Sequence, residues 1–183
     1  ERLAPFLADF ANAGLPLTQQ AKMLPVQWAK LLLNLNNAIN ALSNLPLKSE
    51  LSQRDYRRCL ALAQAEALEL LDEVGIKPAK LTPLPAHLIP KLLGIPDTLF
   101  RILGSKMLTI DPLARSSMSD DLAAQRTTEI DWINGEVVRL AERLGRDAPV
   151  NKRLCELVHD AESAATRPSW SGRALLAELR GVM

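Results

Sequence analysis

The sequence holds only two cysteines in 183 residues, Cys59 and Cys155. Two thiols cannot build the disulfide framework of a small secreted fold. Each sits among apolar neighbours in a helical pattern, so both are expected as buried thiols in a reducing, cytoplasmic compartment. Aromatic residues are scarce at 4%. Val, Ile and Thr never gather into alternating runs, which argues against a sheet of any size. No run of about 18 apolar residues occurs, so no membrane-spanning helix is expected. An excess of one charge is missing too: 22 Lys and Arg against 21 Asp and Glu leave a net charge of +1. That is too little to drive binding to a nucleic-acid backbone, and Tyr56-Arg57-Arg58 reads as an exposed helix face rather than a nucleic-acid patch. The two histidines, His87 and His159, fit no ligand spacing, so no metal site is expected. Gly-x-Ser-x-Gly, Gly-x-x-x-x-Gly-Lys and Gly-x-Gly-x-x-Gly are all absent, which excludes a nucleophile elbow and a glycine turn for phosphates or dinucleotides within this chain. The chain opens on Glu1 with neither a basic nor an apolar leader. It is expected to begin within a longer gene or after processing, not at a signal peptide.

Leu and Ala dominate what is present, and both favour helix. The expectation is a nearly all-α chain. A short amphipathic helix spans 3–13 and stops at Gly14. Leu15-Pro16-Leu17-Thr18 reads as one brief extended piece, because proline pushes its predecessor towards β or polyproline space. A lone strand hints at a sheet whose other strands lie outside the chain. Long helices are expected at about 25–43 and 52–74, the second capped by Ser52 and closed by Gly75. Residues 76–97 carry Pro78, Pro83, Pro85, Pro90 and Pro96. They read as an irregular connection that packs Leu81, Leu84, Leu88 and Ile89. Further helices are expected at about 97–106, 117–126, 130–144, 149–163 and 171–180, with Pro149 opening the fourth of these.

The segment from Trp28 to Leu42 is unusual. Trp28, Leu31, Leu32, Leu35, Ile39 and Leu42 share one face, while Lys30, Asn34 and Asn37 share another. No charge occurs between Lys30 and Lys48. Asparagine is a poor helix former, since its amide competes for backbone hydrogen bonds. Either these amides satisfy a buried helix contact, or they wall a polar pocket in which one ammonium and two amides hold a small anionic or carbonyl-bearing ligand. A second constellation starts at Ser116-Ser117-Met118-Ser119-Asp120-Asp121, where serine and aspartate suit a helix start and a helix start suits an anion. Arg126-Thr127-Thr128-Glu129-Ile130-Asp131-Trp132-Ile133-Asn134-Gly135 follows. Gly135 inside a helix costs about 1 kcal/mol against alanine, which close packing of another backbone would explain.

Taken in order, Trp28-x-Lys30-Leu31-Leu32-x-Asn34, Ser116-Ser117-Met118-x-x-Asp121, Arg126-x-Thr128-Glu129-Ile130-Asp131-x-Ile133-Asn134-Gly135 and Pro149-x-Asn151 resemble the C-terminal helical domain of the ketopantoate reductases (2-dehydropantoate 2-reductases). The resemblance runs over about residues 1–165. It implies a mainly α, multi-helix domain of a 6-phosphogluconate-dehydrogenase-like reductase. Residues 1–20 would be the last helix and strand of an absent N-terminal Rossmann domain, and 21–183 the substrate-binding and dimerisation domain. It implies reduction of ketopantoate to pantoate by NADPH, for pantothenate and coenzyme A synthesis. By resemblance Lys30 is the catalytic lysine at the keto oxygen. Asn34 is a substrate-contacting amide, Ser117 holds the substrate carboxylate, and Glu129 is the second catalytic residue, near the lysine and the substrate hydroxyl. The cofactor would be held mainly by the absent domain, with Glu129 the candidate in this chain.

Many relatives place a second asparagine two turns after the lysine, where this chain has Ala38. Asn37 faces the Lys30 stripe better, and Asn40 better matches the Asn-x-Leu context. Two alternatives follow. One is a reductase-like protein for another 2-oxo acid. The other is a helical interaction module without catalysis, although such a module has no use for Lys30, Asn34, Ser117 and Glu129 together. The apolar surplus on the long helices would suit a homodimer.

Overall fold

The Leu- and Ala-rich pattern folds into eleven α-helices and, among the described residues, no strand: α1 (Ala4–Asn12), α2 (Leu24–Asn34), α3 (Asn36–Ser43), α4 (Leu47–Leu51), α5 (Arg54–Glu73), α6 (Ile89–Leu93), α7 (Asp97–Leu103), α8 (Ser117–Ala123), α9 (Ile130–Arg143), α10 (Pro149–Ser163) and α11 (Gly172–Gly181). The computed structural model describes residues 3–17 and 19–183, apart from the side chains of Lys106 and Met107. The extended piece expected at 15–18 forms no strand over residues 15–17, and Thr18 lies outside the described residues. No neighbouring strand offers its backbone a ladder. No residue of α1 is buried.

The core is built around α5, on which α3, α4, α6, α9, α10 and α11 all pack. Its buried residues Tyr56, Cys59, Leu60, Ala63, Ala67, Leu70 and Leu71 recur at three- and four-residue spacing, as a helix facing a core requires. Gly75 ends it at φ +68°, and Ile76 N–H donates back to Leu71 O at 2.9 Å. A side chain at that dihedral would be strained. The expected cap at Ser52 does not form. Its hydroxyl donates to Lys48 O at 2.6 Å, because the unforeseen α4 ends just ahead of it.

Arg57 also departs from expectation. The exposed face read from Tyr56-Arg57-Arg58 is inside: Tyr56 and Arg57 are buried and Arg58 is half-buried. The Arg57 guanidinium donates to Leu51 O at 3.0 Å, Leu93 O at 3.2 Å and Ile95 O at 2.9 Å. It pairs with Asp97 at 2.9 Å and lies 4.0 Å over the Phe100 ring. The proline segment folds back over it. That segment is more regular than expected, with a 3-10 turn at Ala86–Leu88 and then α6. Pro90 sits in the first turn of α6, where a missing N–H leaves no bond unmade. Ile89 is buried, but Leu81 and Leu84 stay exposed instead of packing.

α9 and α10 lie side by side and share a buried polar network. Asn134 Nδ2 donates to Asn151 Oδ1 at 3.0 Å, and Asn151 Nδ2 donates to Ala63 O at 3.1 Å and Glu66 Oε1 at 2.8 Å. Glu66 also accepts Val150 N–H and Asn151 N–H, both at 2.9 Å. A carboxylate from α5 thus caps the start of α10, where free donors and the helix dipole favour negative charge. Gly135 is not pressed by another backbone. A Cβ there would meet Arg139 Nη1 at 3.5 Å and Asp131 Cβ at 3.6 Å, ordinary contacts.

Candidate functional site

The long helix expected over 25–43 is two helices. It breaks at Leu35, a single residue between α2 and α3. Near the break, Gln64 Nε2 on α5 reaches in and takes Leu32 O at 3.0 Å. A side chain inserted into the backbone ladder is a recognised cause of a helix break. The apolar face is largely as read: Trp28, Leu32, Leu35, Ile39 and Leu42 are buried and Leu31 is half-buried.

α3 is held at its C-terminal end with no carbonyl left over. The last four carbonyls of a helix have no partner within it. Here Asn40 O accepts from Ser43 Oγ at 2.9 Å, Ala41 O from Arg167 Nη2 at 2.7 Å, Leu42 O from Trp170 N at 2.9 Å, and Ser43 O from Ser169 Oγ at 3.1 Å. Its flank is fastened to the start of α8. Ser116 N–H donates to Asn40 Oδ1 at 3.0 Å and Ser116 Oγ donates to Asn37 O at 3.3 Å. Ser116 also caps α8, its Oγ accepting from Ser119 N–H at 3.1 Å. One serine therefore ties the start of α8 to the middle of α3.

On this frame the expected site residues separate into two groups. Lys30 on α2 is exposed and Asn34 at its end is half-buried; Asn37 on α3 is half-buried and Ser117 at the start of α8 is exposed. Among the described residues none of these four side chains has a hydrogen bond or ion pair of its own. The Ser116 bonds bring the α3 and α8 members together, and α2 runs into α3 across the one-residue break. Glu129 stands at the N-cap position of α9, exposed and with its carboxylate equally unengaged; no hydrogen bond or ion pair joins it to Lys30.

Asn40 differs from the rest. It is fully buried, and its amide is spent on Leu45 O at 2.9 Å, Glu50 Oε2 at 3.0 Å and the Ser116 N–H. It holds the frame and offers no free polar group. Ala38 is also fully buried, so an asparagine missing there takes nothing from the exposed polar stripe. Two buried polar residues were not anticipated. Asn36 Nδ2 donates to Glu50 Oε2 at 3.1 Å, and Glu50 on α4 is wholly enclosed. Burial pushes the Glu50 carboxyl up to about 8, against the pull of its Asn40 and Asn36 hydrogen bonds.

Beside Glu129 lies a second polar cluster. Glu162 accepts Thr128 N–H at 2.7 Å, and its other oxygen meets His159 Nδ1 at 3.0 Å; His159 Nε2 meets Asp131 at 3.0 Å. The Glu162 hydrogen bond leads the causes that hold His159 above its ordinary range. Arg126, expected with the site motif, closes a loop by pairing with Asp121 at 2.7 Å. Both thiols are free, Cys59 buried and Cys155 half-buried, and burial pushes each up to about 12. Among the described residues no group of three His, Cys, Asp or Glu could hold a metal ion, and no helix is long and apolar enough to cross a membrane.

The family model described as "Ketopantoate reductase PanE/ApbA C terminal" matches residues 22–162. A 2-dehydropantoate 2-reductase of Pyrobaculum aerophilum is 34% identical over 141 residues, which cover 76% of this chain and 44% of that protein. Among solved structures, a PanE/ApbA family ketopantoate reductase from Ralstonia eutropha JMP134 superposes with a TM-score of 0.67 at 28% identity, covering 87% of this chain and 48% of that one. D-mandelate dehydrogenase, solved with NADH and anilino(oxo)acetate, has the same TM-score of 0.67 at 20% identity, over 88% of this chain and 61% of that one. The latter is a likeness of fold alone. The chain spans about half the length of the curated relatives it matches.

Proposed function

The chain belongs to the family of the ketopantoate reductase C-terminal domain, and from that premise we propose that it is the substrate half of an NADPH-dependent 2-dehydropantoate 2-reductase, working in a reducing, cytoplasmic compartment. The observation that carries the reading is the contrast in the asparagine helix. Asn40 is enclosed and fully bonded, while among the described residues Lys30, Asn34, Asn37 and Ser117 keep their polar groups free.

In this reading Lys30 points its ammonium at the keto oxygen. Negative charge develops there as the carbonyl is reduced, and a fixed positive charge beside it lowers the barrier. The same ammonium then gives its proton to that oxygen. Asn34 and Asn37 donate amide N–H bonds that orient the substrate without competing for the proton. Ser117 donates its hydroxyl to the substrate carboxylate. Asn37, and not Asn40, is the second amide. The residues of this chain suit the substrate side: they include no glycine turn for a dinucleotide, so Glu129 is its one candidate contact with the nicotinamide nucleotide. Hydride donation is the chemistry that a bound NADPH supplies. A homodimer belongs to the same proposal, resting on Leu99, Ile102 and Leu103, which α7 leaves exposed.

The test is ketopantoate-dependent oxidation of NADPH by the whole protein that carries this chain. Lys30→Ala is expected to lower kcat by about 10²–10⁴-fold, the range of a lost general acid, with an unchanged unfolding midpoint. Turnover that survives the substitution would remove Lys30 from the chemistry.

A further inference from the structure

Asn36 and Glu50 face each other through one hydrogen bond, Nδ2–H to Oε2 at 3.1 Å. Among the described residues the remaining side-chain oxygens, Asn36 Oδ1 and Glu50 Oε1, are buried with no partner. Were Glu50 ionised, two bare acceptors would stand on the two arms of the same pair, neither of them exposed to solvent. Unpartnered buried acceptors are costly, and a buried unpaired charge is costlier still. No ion pair reaches Glu50 among the described residues. The titratable groups that bear on it are Tyr56 and Cys59, both neutral at pH 7, and the Tyr56 hydroxyl is committed to Trp170 O at 2.8 Å. A single proton on Oε1 removes both deficits at once.

We propose that Glu50 is a neutral acid whose Oε1–H donates to Asn36 Oδ1, closing a two-bond acid–amide ring, and that through this ring it is the positioning residue of the Asn37–Ser117 side of the candidate site. The route is short. Oε2 accepts from Asn36 and from Asn40, and Asn40 Oδ1 accepts the backbone N–H of the α8 cap. Glu50 thus joins α4, α3 and α8 at one point. A carboxylic acid supplies what the junction lacks, a donor and an acceptor on one planar group. Desolvation raises the affinity of this carboxyl for its proton in the same sense. The positioning role rests on the function proposed above; the protonation does not.

The experiment uses the whole protein. Infrared difference spectra between wild type and Glu50→Gln at pH 7 should show a protonated-carboxyl stretch in the wild type alone. Finding only carboxylate bands overturns the proposal, whatever substrate the enzyme uses. Glutamine presents the same donor and acceptor, so Glu50→Gln should keep both KM values. It should also flatten the fall in stability that the wild type shows as pH rises from 4.5 towards 8. Glu50→Asp, one methylene shorter, should raise KM for ketopantoate about tenfold or more by displacing the frame, with KM for NADPH unchanged. If Glu50→Gln loses as much as Glu50→Asp, or if its stability keeps the wild-type pH slope, the ring does not exist. Should Glu50→Asp not fold, the spectrum and the Glu50→Gln pH profile still decide.

Discussion

Asn151→Ala separates a structural asparagine from a substrate-binding one. Asn151 and Asn134 are both fully buried. The substitution removes the bonds from Asn151 Nδ2 to Ala63 O and Glu66, each worth about 1 kcal/mol net. It also takes away the one partner that Asn134 Nδ2 has among the described residues, where its Oδ1 already has none. An enclosed amide left without any partner costs a further 1–3 kcal/mol or so. The expected total is about 3–5 kcal/mol, read from urea unfolding of the chain by far-ultraviolet circular dichroism. The Asn134→Ala, Asn151→Ala double variant no longer strands an amide, so its cost should fall short of the two single costs by about 1–2 kcal/mol. The Glu66 cap on the Val150 and Asn151 N–H groups is backbone-directed and survives in both. Were Asn151→Ala to cost under about 1 kcal/mol while abolishing turnover, the Pro149-x-Asn151 motif would belong to the site and the reasoning would fail.

Two further outcomes are expected. His159 is raised by Glu162 and Asp131, so the stability it adds is complete below the ordinary histidine value and is lost as pH rises through the higher folded one. Proton NMR should place its titration midpoint above that of a free histidine, and a midpoint at or below it would dissolve the Asp131–His159–Glu162 cluster. Gly135→Ala should stabilise the chain by up to about 1 kcal/mol, since its Cβ meets only ordinary contacts; a lowered Tm would show that the space is not there.

The parts of the fold that could be read from the sequence are those where local chemistry decides. The helix expected at 149–163 has those limits because Pro149 pre-sets the first turn and the apolar spacing carries the rest. Gly75 marked the end of α5 because its dihedral belongs to glycine. What was not legible depends on distant residues. The amide that meets Leu32 O beside the break at Leu35 comes from Gln64, 32 positions onward. The burial of Arg57 needs carbonyls 36 and 38 residues onward. The short helix α6 hides among prolines that read as irregular, and α4 is only 5 residues long, too short for an apolar period to show. At the candidate site, the stripe of Lys30, Asn34 and Asn37 was visible as a helix period. The difference between Asn37 and Asn40 was not, because it arises from Glu50. Nothing in Lys48-Ser49-Glu50-Leu51 sets that glutamate apart from a solvated one.

The buried guanidinium of Arg57 bears on how this chain can vary in length. The stretch between Ile76 and Ile89 carries no α-helix of its own, and its register against the core is set on return, where Leu93 O, Ile95 O and Asp97 meet one cation. Lengthening such a span costs only the logarithm of its size in closure entropy, about 0.6 kcal/mol per doubling. Residues can therefore be gained or lost there cheaply, provided the chain comes back to the same clasp. Insertions between Leu93 and Asp97 enjoy no such freedom: each would carry a carbonyl or the carboxylate away from a charge that is shut off from solvent. Tolerated changes of loop length are thus expected upstream of the clasp, and a fully buried arginine sets where they must stop.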